Sequence, residues 1–77
     1  MQADMIKQLI EADLPDADID VEGDDGAHFQ ARVISASVAG KTMLQQHQMV
    51  YKTLGSRMGT DIHALSLQTC TPEESNK

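Results

Sequence analysis

The chain has 77 residues, 12 acidic against 6 basic side chains, and a formal net charge of −6. Such a balance works against nucleic-acid backbone and anionic lipid, whose binding rests on Lys and Arg neutralising phosphate. With one Phe, one Tyr and no Trp, a chain this short buries only roughly 60% of its unfolded surface, which leaves little room for a deep catalytic chamber.

In chain order, Met5, Ile6, Leu9, Ile10 and Leu14 recur at helical spacing and predict an amphipathic helix over 3–13, ending before Pro15. "DADIDVE" alternates and predicts a strand with Ile19 and Val21 inward. "GDDG" supplies turn chemistry. "HFQARVIS" alternates again, with Phe29, Ala31 and Val33 on one face, so the two strands form a hairpin. After the break "SVAGK", Thr42 or Ser37 caps a second helix over about 43–54, with Leu44, His47, Val50, Tyr51 and Leu54 on its inner face. "GSRMGTD" is a broken turn or one short helix. "DIHALSL" is the last strand, with Ile62, Ala64 and Ser66 in one row and His63, Leu65 and Leu67 in the other. The polar end of the chain, 72–77, is expected to be a flexible tail on a single domain whose core spans 2–71.

The order helix, strand, strand, helix, short helix, strand predicts an α+β fold: a three-stranded mixed sheet covered on one face by helices. The long connection before the last strand permits parallel pairing.

No enzyme motif is present: no GxSxG, no GxxxxGK[ST], no HExxH. "EGDDG" lacks the twelve-residue calcium-loop pattern. Cys70 is the single cysteine, so there is no intrachain disulfide and no CxxC metal site; it is expected to be a half-buried small residue. The first segment carries Asp4, Glu11 and Asp13 and no long apolar run, so neither a secretory leader nor a membrane span is expected, and a cytoplasmic location fits. Met43, Met49 and Met58 are assigned to the core. His47 is read as structural, beside Val50 and Tyr51. His28 and His63 open the second and third strands. If those ends share one side of the domain, the imidazoles could share an exposed metal site; otherwise each sits at the edge of the core with one nitrogen bonded to backbone.

"GAHFQARVIS", "GKTMLQQHQMVYKTLG" and "DIHALSLQTCTPEE" resemble, in order and spacing, the BolA family across about residues 5–74. The short hairpin loop and acidic character are most similar to small, acid-stress-associated bacterial members. The resemblance implies an α-β-β-α-α-β fold similar to a class II KH domain but without the nucleic-acid-clamping GxxG loop; "GDDG" is a false match, since it lies in the hairpin and its acids repel phosphate. It further implies a non-enzymatic partner of a monothiol CGFS glutaredoxin, the pair holding a bridging 2Fe–2S cluster with glutathione; no cluster is expected on the isolated chain. The implied ligand from this chain is His63, with His28 the candidate for a second; Asp24 and Asp25 are harder donors, poorer for iron–sulfur. The alternatives are a stress-response DNA-binding regulator using Lys41, Lys52 and Arg57, and a metal-free interaction module. Gln46 and Gln48 flank His47 where the family carries basic residues, and Ser75 stands where it carries Trp after "TPEE". Alone, the chain is expected to be a monomer or weak dimer.

Overall fold

The computed structural model describes residues 2–23, 26, 28–59, 62 and 64–75. Helix α1, Ala3–Asp13, buries Ile6 and Ile10 completely. The Leu14 N–H donates to the Ile10 carbonyl at 2.9 Å, closing the last turn before Pro15. The buried row is Ile6, Ile10 and Leu14, spaced by four, so Met5 is 45% exposed and not part of the core stripe as expected.

Strand β1, Asp18–Glu22, runs antiparallel to β2, His28–Ile34, with Asp18 opposite Ile34 and Glu22 opposite Gln30. Strand β3, Ala64–Cys70, runs parallel to β2 on its other side, from His28 opposite Ala64 to Ile34 opposite Cys70. The order β1-β2-β3 makes the sheet mixed, as predicted. Ile19, Phe29, Ala31, Val33 and Thr69 are buried on the helix-covered face, while Asp20, Glu22, Gln30, Arg32, Ser66 and Gln68 are exposed on the other.

Gly23 follows β1 where the hairpin crosses the Phe29 ring. A Cβ there would overlap that ring and lie 2.8 Å from the His28 carbonyl oxygen. Gly23→Ala is expected to destabilise by about 1–3 kcal/mol through overpacking; a denaturant midpoint equal to the native one would refute this.

The return from β2 begins with a 3-10 turn, Ala36–Val38, capped by the Ser35 hydroxyl, which accepts from the Ser37 N–H at 3.0 Å. Helix α2, Met43–Leu54, is capped by Thr42: the Gln45 N–H donates to its hydroxyl at 3.2 Å, and the Thr42 N–H donates back to Gln45 Oε1 at 3.0 Å. Its buried row is Gln46, Val50 and Leu54, again spaced by four. Leu44, at 68% exposure, and Met43, at 57%, therefore lie outside the core, contrary to their predicted positions. Met49 and Met58 pack against the core as expected.

The expected short helix is a 3-10 turn, Gly55–Arg57, entered through Gly55 at φ 58°. Ile62 corrects the predicted strand phase. It bridges Met58, donates its N–H to the Arg57 carbonyl at 2.9 Å and is fully buried, whereas Ala64 and Ser66 are exposed. Simple alternation does not run back through the start of "IHALSL", and the orientation expected of His63 lies outside the described residues. Beyond β3, the Thr71 and Glu74 backbone and side chains cap each other reciprocally, and α3, Pro72–Ser75, forms one helical turn within the segment assigned to the tail.

Asp16, between α1 and β1, ties that loop to the chain leaving β2. Its Oδ2 accepts from the buried Ser35 hydroxyl at 2.8 Å, and both its oxygens accept from Ser37 Oγ at 3.3 Å. The Ser35 hydrogen bond holds the Asp16 carboxyl below its ordinary 3.8, outweighing desolvation, which raises it. Because the folded value is depressed, this contribution is fully present above the unfolded value and is lost as pH falls through the folded one. Asp16→Asn should therefore lose stability at neutral pH and show a smaller further loss on acidification below about pH 4 than the native chain. Parallel acid limbs in denaturant titrations of the two proteins would count against the clamp.

Candidate functional site: the first rung of the parallel pair

His28 is placed by two local causes: the hairpin delivers it as the first residue of β2, and alternation with buried Phe29 turns it to the open face, where it is exposed. The parallel register makes His28 the partner of Ala64, the first residue of β3. In the sequence Ala64 directly follows His63. His63 itself, and the loop acids Asp24 and Asp25, lie outside the described residues. Beside His28 an open concavity of about 570 Å³ is lined by Ala3, Val21, Glu22, Gly23, His28 and Gln30.

An exposed imidazole at a strand start is a competent soft-to-borderline metal ligand when neutral. Among the described residues no three His, Cys, Asp or Glu side chains converge on one point. Any metal centre built on His28 thus needs donors from outside that set.

The predicted cations are all exposed. Lys41 and Lys52 line one shallow groove along α2 with Gln45, Gln48 and Met49, and Arg57 is not among its lining residues. The open face of the sheet is bordered by Asp18, Asp20 and Glu22 of β1. Together these make a small two-lysine groove on an otherwise acidic molecule.

His47 is half-buried, its ring edge-on to Tyr51 with centroids 6.4 Å apart and planes at 83°. Its Nε2 is buried without a hydrogen-bond partner among the described residues. Cys70 is half-buried at the end of β3. Sequence patterning passed over Gln46, whose amide nitrogen donates to the Val38 carbonyl at 3.2 Å and the Lys41 carbonyl at 3.0 Å, and whose oxygen accepts from the Thr69 hydroxyl. The available signal was its four-residue spacing from Val50.

The fold defines a small α+β module with a mixed three-stranded sheet and an exposed histidine at the start of β2. The chain belongs to the BolA-like protein family, whose profile matches residues 8–74. It is similar to a BolA protein homologue from Coxiella burnetii, with a TM-score of 0.89 and 45% identity over 100% of this chain and 99% of that one. Protein BOLA1, chloroplastic, of Arabidopsis thaliana is 36% identical over 52 residues, 68% of this chain and 32% of that protein. The DNA-binding transcriptional regulator BolA of Escherichia coli is 38% identical over 48 residues, 62% of this chain and 46% of the regulator. The matches thus cover a third to a half of these curated relatives. No helix among the described residues is long and apolar enough to cross a membrane.

Proposed function

We propose that this chain pairs with a monothiol CGFS glutaredoxin and shares with it a bridging 2Fe–2S cluster, in iron–sulfur trafficking or in iron and stress sensing. The observation that supports this reading is the first rung of the parallel pair, which sets His28 against the residue that follows His63. Neighbouring strands lie about 4.8 Å apart, so the register brings the start of β3, next to His63 in the sequence, within one strand spacing of His28. His63 is the principal ligand and His28 the candidate second. The glutaredoxin cysteine and a glutathione thiol complete the four donors that a 2Fe–2S cluster takes. Imidazole in place of thiolate raises the potential of such a cluster, and its protonation releases the metal, which suits a labile cargo. The chain acts as a ligand-bearing partner and not as a catalyst.

Co-expression with a CGFS glutaredoxin tests the reading. A coloured species should elute at the mass of a one-to-one pair, with a visible spectrum distinct from that of the glutaredoxin alone. Separate elution, with all the colour on the glutaredoxin, would sink it.

A DNA-binding reading draws support from the lysine groove on α2 and from the printed name of the Escherichia coli relative. With so few cations, any binding should be nonspecific and fall steeply with salt. A discrete footprint at physiological ionic strength would reverse the order of the two readings.

A further inference from the structure

Strand β3 ends the sheet: β2 pairs with one side of it, and among the described residues no backbone hydrogen bond reaches the other. Edge strands are ordinarily guarded by charge, Pro or a bulge. The opposite edge is guarded in this way, since β1 carries Asp18, Asp20 and Glu22. Strand β3 reads ALSLQTC, seven residues with no charge and no Pro. Of the three large apolar side chains most exposed among the described residues, two, Met43 and Leu44, stand on the first turn of α2. The Met43 sulfur lies 3.5 Å from the Thr69 hydroxyl oxygen, which sets its exposed side chain over β3. A shallow cavity of about 320 Å³ at this edge is lined by Met43, His47, Leu67, Thr69 and Cys70, among others.

We propose that β3 pairs antiparallel with β3 of a second copy of this chain, on a twofold axis at Leu67, to give a continuous six-stranded sheet. The charge distribution selects that occupant. Centring on Leu67 pairs all seven residues, with Leu65 facing Thr69, Ser66 facing Gln68 and Ala64 facing Cys70 of the other copy, so no charge opposes a charge. The β1 carboxylates move to the outer margins, five strand spacings or about 24 Å apart, well beyond a screening length of about 8 Å. Pairing β1 with β1 would instead oppose acidic rows. Pairing β1 with β3 would leave free edges and propagate without closing. A strand of seven residues is about 23 Å long, and its edge buries less than the roughly 800 Å² per partner of a stable complex. The dimer is therefore weak and concentration-dependent.

The test is sedimentation of the full chain from about 10 μM to about 1 mM, a range in which weak association is visible. The native mass should climb toward twice the monomer. Ser66→Glu/Gln68→Glu sets like charges opposite each other across the proposed seam and should weaken the dimer at least about tenfold. Ser66→Lys/Gln68→Glu sets opposite charges there and should restore it. Ser66 and Gln68 are exposed, and both variants place the same carboxylate beside Arg32, the register partner of Gln68, so the folds are matched. A native chain monomeric throughout would overturn the proposal, as would association of the doubly acidic variant like the native one or failure of the mixed variant to recover. A mixed sample of labelled and unlabelled native chain gives a reading independent of the variants. Proton contacts from Leu65 to Thr69 between copies are expected, and a dimer lacking them refutes the pairing.

Discussion

Gln46→Leu is expected to lower stability by about 1–3 kcal/mol. Gln46 is 8% exposed and bonds three partners: the Val38 and Lys41 carbonyls through its nitrogen, and the Thr69 hydroxyl through its oxygen. Leucine fills a similar volume, so the loss is not a cavity effect. It comes from stranding the buried Thr69 hydroxyl with only the weakly accepting Met43 sulfur nearby, at about 1–3 kcal/mol for an unsatisfied group, while the Val38 carbonyl keeps the Lys41 N–H at 3.2 Å. The Lys41 carbonyl is only part-buried and can turn to water. In a domain of ordinary stability, about 5–15 kcal/mol, that is a large fraction of the whole. Adding Thr69→Val removes the orphaned group and should return part of the loss, because replacing both partners costs less than stranding one. Denaturant midpoints of the two variants decide the matter: a single variant as stable as the native chain, or a double variant worse than the sum of its parts, contradicts the account.

Among the histidines, His63→Ala should remove the mixed-complex cluster spectrum, leaving only what the glutaredoxin holds by itself. The proposed function makes His63 the principal ligand, so its replacement takes away the main donor from this chain. His28→Ala should weaken the cluster less, since water or a loop carboxylate can take a second position. As His28 is exposed at a strand start, its replacement should change stability by about 1 kcal/mol or less. His47→Ala should do the reverse, leaving the spectrum intact and lowering the melting temperature, because its half-buried ring packs edge-on to Tyr51. Visible absorbance and circular-dichroism melts on the three variants separate these roles. A bleached complex from His47→Ala, with colour surviving His63→Ala, would mean the two residues have been exchanged.

The parts of this fold that follow from local rules were legible in the sequence. Alternation over "DIDVE" and "HFQARVI" placed both hairpin strands and their inward residues, and the spacing around Val50 and Leu54 placed α2. What failed depended on tertiary context. A helical stripe read from apolar residues alone admits Leu44 and Met43 and omits Gln46, because nothing local reveals that a buried glutamine meets two carbonyls and a hydroxyl from other elements. Ile62 was misphased because alternation assumes an unbroken strand, and the bridge to Met58 interrupts it. At the candidate site, the imidazoles at the two strand starts could be named from the sequence. That His28 faces the residue after His63 could not, since it requires the parallel register. Asp16, Ser35 and Ser37 are separated by 19 and 21 positions, and no short-range pattern joins them.

The mixed sheet also fixes an inequality in assembly. Partners in the hairpin are 8 to 16 residues apart along the chain, from Glu22 with Gln30 to Asp18 with Ile34, whereas every β2–β3 pair is 36 apart, as in His28 with Ala64. Loop-closure entropy grows as the logarithm of that span, so bringing in β3 costs about 0.7–1.3 kcal/mol more than closing the hairpin, before any ordering of α2 is counted. The hairpin is the cheap nucleus and β3 the late arrival, docking when Thr69 finds Gln46. Until then β2 presents a bare edge in the nascent chain, and the seven uncharged residues meant to cover it are the same ones that any other copy could supply.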